Sequence, residues 1–191
     1  RAQDGGVHSI LSIEGGEVLQ GSIAALRMFY KLGVRLITLT WNYANEIADG
    51  IEESRGAGLT DFGRRAVAEM ENLGVLVDVS HLSERGFWDV AECARYPFVA
   101  SHSCAKALCG HARNLTDEQI KAIANSGGCI GVNFYPEFLA DDGISSIETI
   151  AKHAAYIINV GGEDVAALGS DFDGVECLPD GMRGVQDMAR L

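Results

Sequence analysis

Six short, nearly continuous apolar runs recur along this chain, separated by segments of helical character. They span Ser9–Glu14, Leu36–Trp41, Val75–His81, Phe98–His102, Cys129–Phe134 and Ala166–Asp171. Runs of this kind, apolar at consecutive positions rather than alternating, suit strands covered on both faces. Helical patterns fill the gaps over Gly21–Leu32, Thr60–Leu73, Ser83–Cys93, Thr116–Ser126 and Ser146–Val160. On the first, Ile23, Leu26, Phe29, Tyr30 and Leu32 are expected to share an apolar side. Thr116 precedes Asp117 and Glu118, which suits a capped helix start. "KLGV", "NLGV" and "NVGG" each place glycine where a helix should stop. The alternation predicts an α/β fold with a parallel sheet. Periodicity alone leaves a doubly wound sheet and a closed barrel both open. "GGEVLQGS" is not the G-x-G-x-x-G dinucleotide fingerprint.

The last residues of these runs are Glu14, Trp41, His81, His102, Asn133 with Phe134, and Asp171. Carboxyl ends of parallel strands converge on the active site in both open and closed α/β folds. Imidazoles and carboxylates gathered there can surround a divalent metal. One histidine at a strand end is ordinarily an isolated polar cap. Two in equivalent positions 21 residues apart, with Glu14 and Asp171 at the same end, favour a metal site. Asp78, three residues before His81, could orient a ligand or bond a neighbouring loop. His8 and His153 lie away from strand ends and are expected at the surface; His111, in "CGHARN", receives no role. Arg113 could clamp a carboxylate with its fork of donors, although a surface arginine is the default reading.

Composition excludes more than it assigns. A net charge of −12 over 191 residues disfavours nucleic acid and anionic membranes as partners. No stretch reaches the 18 or so apolar residues of a membrane span. Five irregularly spaced cysteines fit neither a disulfide framework nor a CxxC metal motif. Most of them are read as reduced, buried small hydrophobes, which points to a cytoplasmic setting.

The motifs "SIEGG", "GVRLITLTWN", "GLTDFGRRAVAEMENLGVLVDVSH", "ASHS", "ARN", "VNFY" and "GSDFDG", in this order, resemble the membrane (renal) dipeptidase family of zinc metallopeptidases and its bacterial members. The resemblance runs from Ser9 to Val175. It implies a (β/α)8 TIM-type barrel, of which about six β/α units fall in this chain, and a metal-dependent dipeptidase using two Zn2+ ions. Glu14 would bridge the metals, and His81 and His102 would complete the second site. Arg113 would hold the dipeptide's free C-terminal carboxylate. Asp171 would be the catalytic acid/base, with Asp173 structuring its loop. Trp41 and Asn114 are candidate substrate contacts.

Two departures accompany the resemblance. The family's first metal also takes an H-x-D pair, and none occurs in these residues. Residues 1–191 are therefore expected to be a single catalytic domain, incomplete at the N-terminus and also cut short at the C-terminus. Arg1 is not read as a natural start. Trp41 stands where the renal enzyme has a histidine near the reacting carbonyl. Two rival readings stay open: a related amidohydrolase with another substrate, and a non-catalytic remnant lacking the first metal site. The expected partner is a small dipeptide, and assembly with identical subunits is compatible with this reading.

Overall fold

All six expected strands form, and every pairing between them is parallel. The computed structural model describes residues 8–191. The strands are β1 (Leu11–Glu14), β2 (Val34–Thr38), β3 (Leu76–Asp78), β4 (Ala100–Ser103), β5 (Ile130–Val132) and β6 (Ala166–Leu168). The helices are α1 (Ile23–Lys31), α2 (Asp61–Leu73), α3 (Glu84–Cys93), α4 (Asp117–Ser126), α5 (Pro136–Leu139) and α6 (Ile147–Gly161). Strands pair in the order β1-β2-β3 and β4-β5-β6. A parallel bridge from Asp78 to Val99 joins the two halves, with Val79 N–H donating to the Val99 carbonyl at 2.8 Å. Among the described residues β1 and β6 are unpaired edges, and Ile10, Leu11 and Leu168 beside them are exposed.

Local chemistry explains the element boundaries. Ser22, Thr60, Ser83 and Thr116 each accept a backbone N–H as N-caps of α1, α2, α3 and α4. Each such cap contributes about 1 kcal/mol. Gly74 and Gly127 end α2 and α4 in the left-handed conformation that glycine adopts without strain. The strands are shorter than the apolar runs. Trp41, His81 and Asp171 each lie three residues past a strand end, in the loops that follow. His81 (φ 65°) and Asp171 (φ 59°) take left-handed backbone, which cannot continue a strand.

The core lies between sheet and helices. Ile37, Leu39, Val77, Ile130, Val132 and Phe134 from the strand segments are buried with Leu26, Met70, Phe87, Ile123 and Ile157 from the helices. Each such side chain contributes roughly 1.5–3 kcal/mol by leaving water. Gly131 and Gly169 matter for a different reason. A Cβ on either would collide with the Ser101 carbonyl oxygen. Their lack of a side chain lets β5 and the end of β6 close up against β4.

Three expectations need correction. Leu32 does not join the buried side of α1 but is 70% exposed, because it caps the helix rather than continuing it. His153 is not a surface residue. It is 1% exposed on α6, its Nδ1 accepts the Ala105 N–H at 3.1 Å, and its Nε2 lies 3.0 Å from the Leu139 carbonyl. The ring is buried because both nitrogens have backbone partners there. Of the cysteines, all free, Cys104 and Cys109 are buried whereas Cys177 is exposed.

Candidate metal centre

Glu14 ends β1, His81 lies just past β3, and His102 sits within β4. Their ligand atoms lie within 4.8 Å of one another. His81 Nε2 is 3.0 Å and His102 Nε2 3.1 Å from Glu14 Oε1, and the two Nε2 atoms are 2.8 Å apart.

The tautomers follow from the surrounding bonds. His81 Nδ1 faces Asn42 Oδ1 at 2.7 Å, and an amide oxygen only accepts, so the proton is on Nδ1. His102 Nδ1 faces Ser101 Oγ at 2.8 Å. That hydroxyl spends its one proton on Asp78 Oδ2 at 2.5 Å, so His102 must donate to it. Both Nε2 atoms therefore carry lone pairs, and both aim at each other and at a carboxylate oxygen. Three acceptors converging with no proton between them could hold a cation. Burial, opposed by Glu14, pushes His81 down, toward the neutral form that ligates metal.

Asp78 resolves the choice left open by its position. It is fully buried and bonds inside the sheet: Oδ2 accepts from Thr38 Oγ1 at 2.6 Å and from Ser101, and Oδ1 accepts the N–H groups of Ser80 and Ser101. One carboxylate thus ties β2, β3 and β4 together directly beneath the histidines. Sequence reading did not single out Asn42 or Ser101. Their only signal was adjacency to the singled-out Trp41 and His102.

A cleft of about 600 Å³ opens over the triad, lined by Glu14, Trp41, His81, Arg113 and Asp171 among others. Asp171 lies outside the triad and accepts from Asn133 Nδ2 at 3.1 Å, and a side chain on Gly174 would collide with it. Two site residues in left-handed backbone, His81 and Asp171, fit the tendency of strained conformations to gather at functional sites. Trp41 is half-exposed, with its ring 6.2 Å from that of His81.

Arg113 is 7% exposed, so it is not a surface arginine. Its Nη2 donates to the His102 carbonyl at 3.2 Å, its guanidinium lies 5.4 Å from the Phe138 ring centre, and its buried Nε has no protein partner. Burial lowers its pKa to about 10, against the pull of Asp78, Glu14 and Asp171, so it stays charged near neutrality. Asn114 does not line this cleft. Its amide donates to the Cys109 and Phe138 carbonyls, which fixes the loop instead. His111, given no role from sequence, does line the cleft; its Nδ1 accepts the Arg113 N–H at 3.1 Å and its ring lies 4.5 Å from that of Phe138.

A sequence model of the membrane dipeptidase family, peptidase family M19, matches residues 1–191. An uncharacterised protein from the pqqA 5′ region of Klebsiella pneumoniae is 44% identical over 192 residues, covering 95% of this chain and 70% of that protein. An uncharacterised dipeptidase of Schizosaccharomyces pombe is 37% identical, covering 98% of this chain and 46% of that protein. Dipeptidase aclJ of Aspergillus oryzae is 39% identical over 95% and 44% of the two chains. This chain thus spans about half the length of the curated dipeptidases it matches. Among solved structures, a metallopeptidase from Rhodobacter sphaeroides, liganded with a phosphinate mimic of the dipeptide L-Ala-D-Ala, superposes with a TM-score of 0.89 at 36% identity. That match covers 95% of this chain and 54% of that one.

Proposed function

Because the chain belongs to the membrane dipeptidase family, peptidase family M19, we propose that it carries most of the active site of a zinc-dependent dipeptidase. The observation that carries this reading is the convergence of His81 Nε2, His102 Nε2 and Glu14 Oε1, all as acceptors. Glu14, His81 and His102 would hold one Zn2+, and Glu14 would be shared with a second ion whose H-x-D ligands are not in this sequence. Zinc supplies Lewis acidity there, lowering the pKa of water and polarising the scissile carbonyl.

The chain's own residues do the remaining work. Arg113 binds the substrate's free C-terminal carboxylate, which favours dipeptides over longer chains. Asp171 takes a proton from the attacking water as the new C–O bond forms. It returns that proton to the amine nitrogen as the C–N bond breaks. Asn133 holds the Asp171 carboxylate in place for both transfers. Trp41 provides an apolar wall and no proton. The exposed edges at β1 and β6 suit closure into a (β/α)8 barrel by further β/α units. Among the described residues no helix is long and apolar enough to cross a membrane, and the free thiols support a cytoplasmic setting.

The test is metal analysis of the full-length protein together with a panel of dipeptides bearing free or amidated C-termini. Bound zinc, with hydrolysis restricted to free carboxylates, is expected. A metal-free protein, or equal turnover of free and amidated substrates, overturns the reading.

A further inference from the structure

The cleft carries more negative charge than the proposed reaction uses. Besides Glu14 and Asp171, four exposed carboxylates line it: Glu17, Glu52, Glu137 and Glu176. They come from segments following β1, β2, β5 and β6, so both halves of the sheet contribute. Glu17 is held in place, its Oε2 accepting from Asn45 Nδ2 at 3.2 Å. Arg113 is the one lysine or arginine among the lining residues.

Arg113 independently indicates what enters. It is a buried cation with an unpartnered Nε, at a cleft that otherwise gathers acid, and it suits a ligand bearing a carboxylate. Once that carboxylate meets Arg113 and any metal is held by Glu14, His81 and His102, the rest of the ligand lies beside Glu17, Glu52, Glu137 and Glu176, none of which has a lysine or arginine beside it in the lining. Walls on which one sign of charge predominates concentrate ligands of the opposite sign. Trp41, Tyr135 and Phe138 add aromatic faces to the same cleft, which also accept cations.

We propose that this cleft selects dipeptides carrying a positively charged side chain, with Glu17, Glu52, Glu137 and Glu176 as the specificity-determining carboxylates. The proposal rests on the dipeptidase reading above and adds the substrate's charge class to it.

The experiment compares lysyl-alanine, norleucyl-alanine and glutamyl-alanine as substrates of the full-length, metal-loaded protein. Norleucine keeps nearly the shape of lysine without its charge. At low ionic strength kcat/KM should favour lysyl- over norleucyl-alanine by roughly 10-fold, with glutamyl-alanine lowest. That ratio should shrink at about 0.5 M salt, where screening acts within a few ångströms. In a variant combining E17Q, E52Q, E137Q and E176Q it should fall to about 1. Should that variant fail to fold, the salt dependence of the parent's ratio decides. Equal kcat/KM for lysyl- and norleucyl-alanine at low salt, or a ratio insensitive to salt, overturns the charge preference and leaves the dipeptidase reading standing. Failure to hydrolyse any of the three overturns both.

Discussion

His81 Nε2 and His102 Nε2 face each other at 2.8 Å, and Asn42 and Ser101 fix both as hydrogen-bond acceptors. Two lone pairs this close repel unless a cation lies between them. Zn–N bonds of about 2.0–2.1 Å in tetrahedral geometry place such nitrogens about 3.3 Å apart. A crystal structure of the zinc-loaded protein should therefore show this pair opened to near that value. Zinc bound elsewhere, with the pair unmoved, would count against the assignment.

The bond from His102 Nδ1 to Ser101 Oγ should matter for metal affinity although Ser101 touches no metal. Ser101→Ala removes the acceptor that fixes the tautomer. Loss of such a partner typically costs 10–100-fold in affinity. Competition against a chromophoric chelator measures it, and an unchanged Kd would remove Ser101 from this role.

Asp171→Asn keeps the shape of the side chain and removes the proton acceptor. In the full-length enzyme kcat should fall by about 10²–10⁴-fold with zinc content unchanged. Asp173, exposed two residues on, is the paired control: Asp173→Asn should alter stability more than turnover. Parent-like kcat in Asp171→Asn, or turnover lost in folded, metal-loaded Asp173→Asn, would reverse the two roles.

Arg113→Lys keeps the charge and loses the fork, so KM for dipeptides should rise roughly 10-fold or more. Amidated dipeptides, poor substrates of the parent, should be nearly indifferent to the change. Equal effects on both substrates would detach Arg113 from the carboxylate.

His153 gives the fold an acid sensitivity. Burial pushes its pKa below the ordinary 6.5, so it stays neutral in the folded chain as the pH drops. Above about pH 6.5 neither state binds the proton, and its contribution to stability is complete. Below that, the unfolded chain takes up a proton that the folded one refuses, so stability falls with falling pH until the folded-state pKa is reached. Urea titrations from pH 8 to 5 should show this decline, and His153→Gln should flatten that part of it while lowering stability at pH 8. An identical slope in the variant would assign the acid sensitivity to other groups.

The alternation of apolar runs with capped, glycine-terminated helices was enough to read six parallel strands, because strand burial and helix capping leave their mark over a few neighbouring residues. Glu14, His81 and His102 stood out as candidate ligands for the same reason, each closing an apolar run, and the structure brings their ligand atoms together. What the sequence by itself could not specify was contact between segments distant along the chain. That His81 and Asp171 stand in left-handed loops beyond their strands depends on backbone angles no periodicity records. His153 is buried, against expectation, because Ala105 and Leu139, 48 and 14 residues away, happen to satisfy its nitrogens. The tautomers that leave both Nε2 atoms free to accept depend on Asn42, Ser101 and Asp78, which come together only when the segments of β2, β3 and β4 meet. Hydrogen bonds are short-ranged and directional, so their partners are chosen by tertiary proximity and not by local sequence.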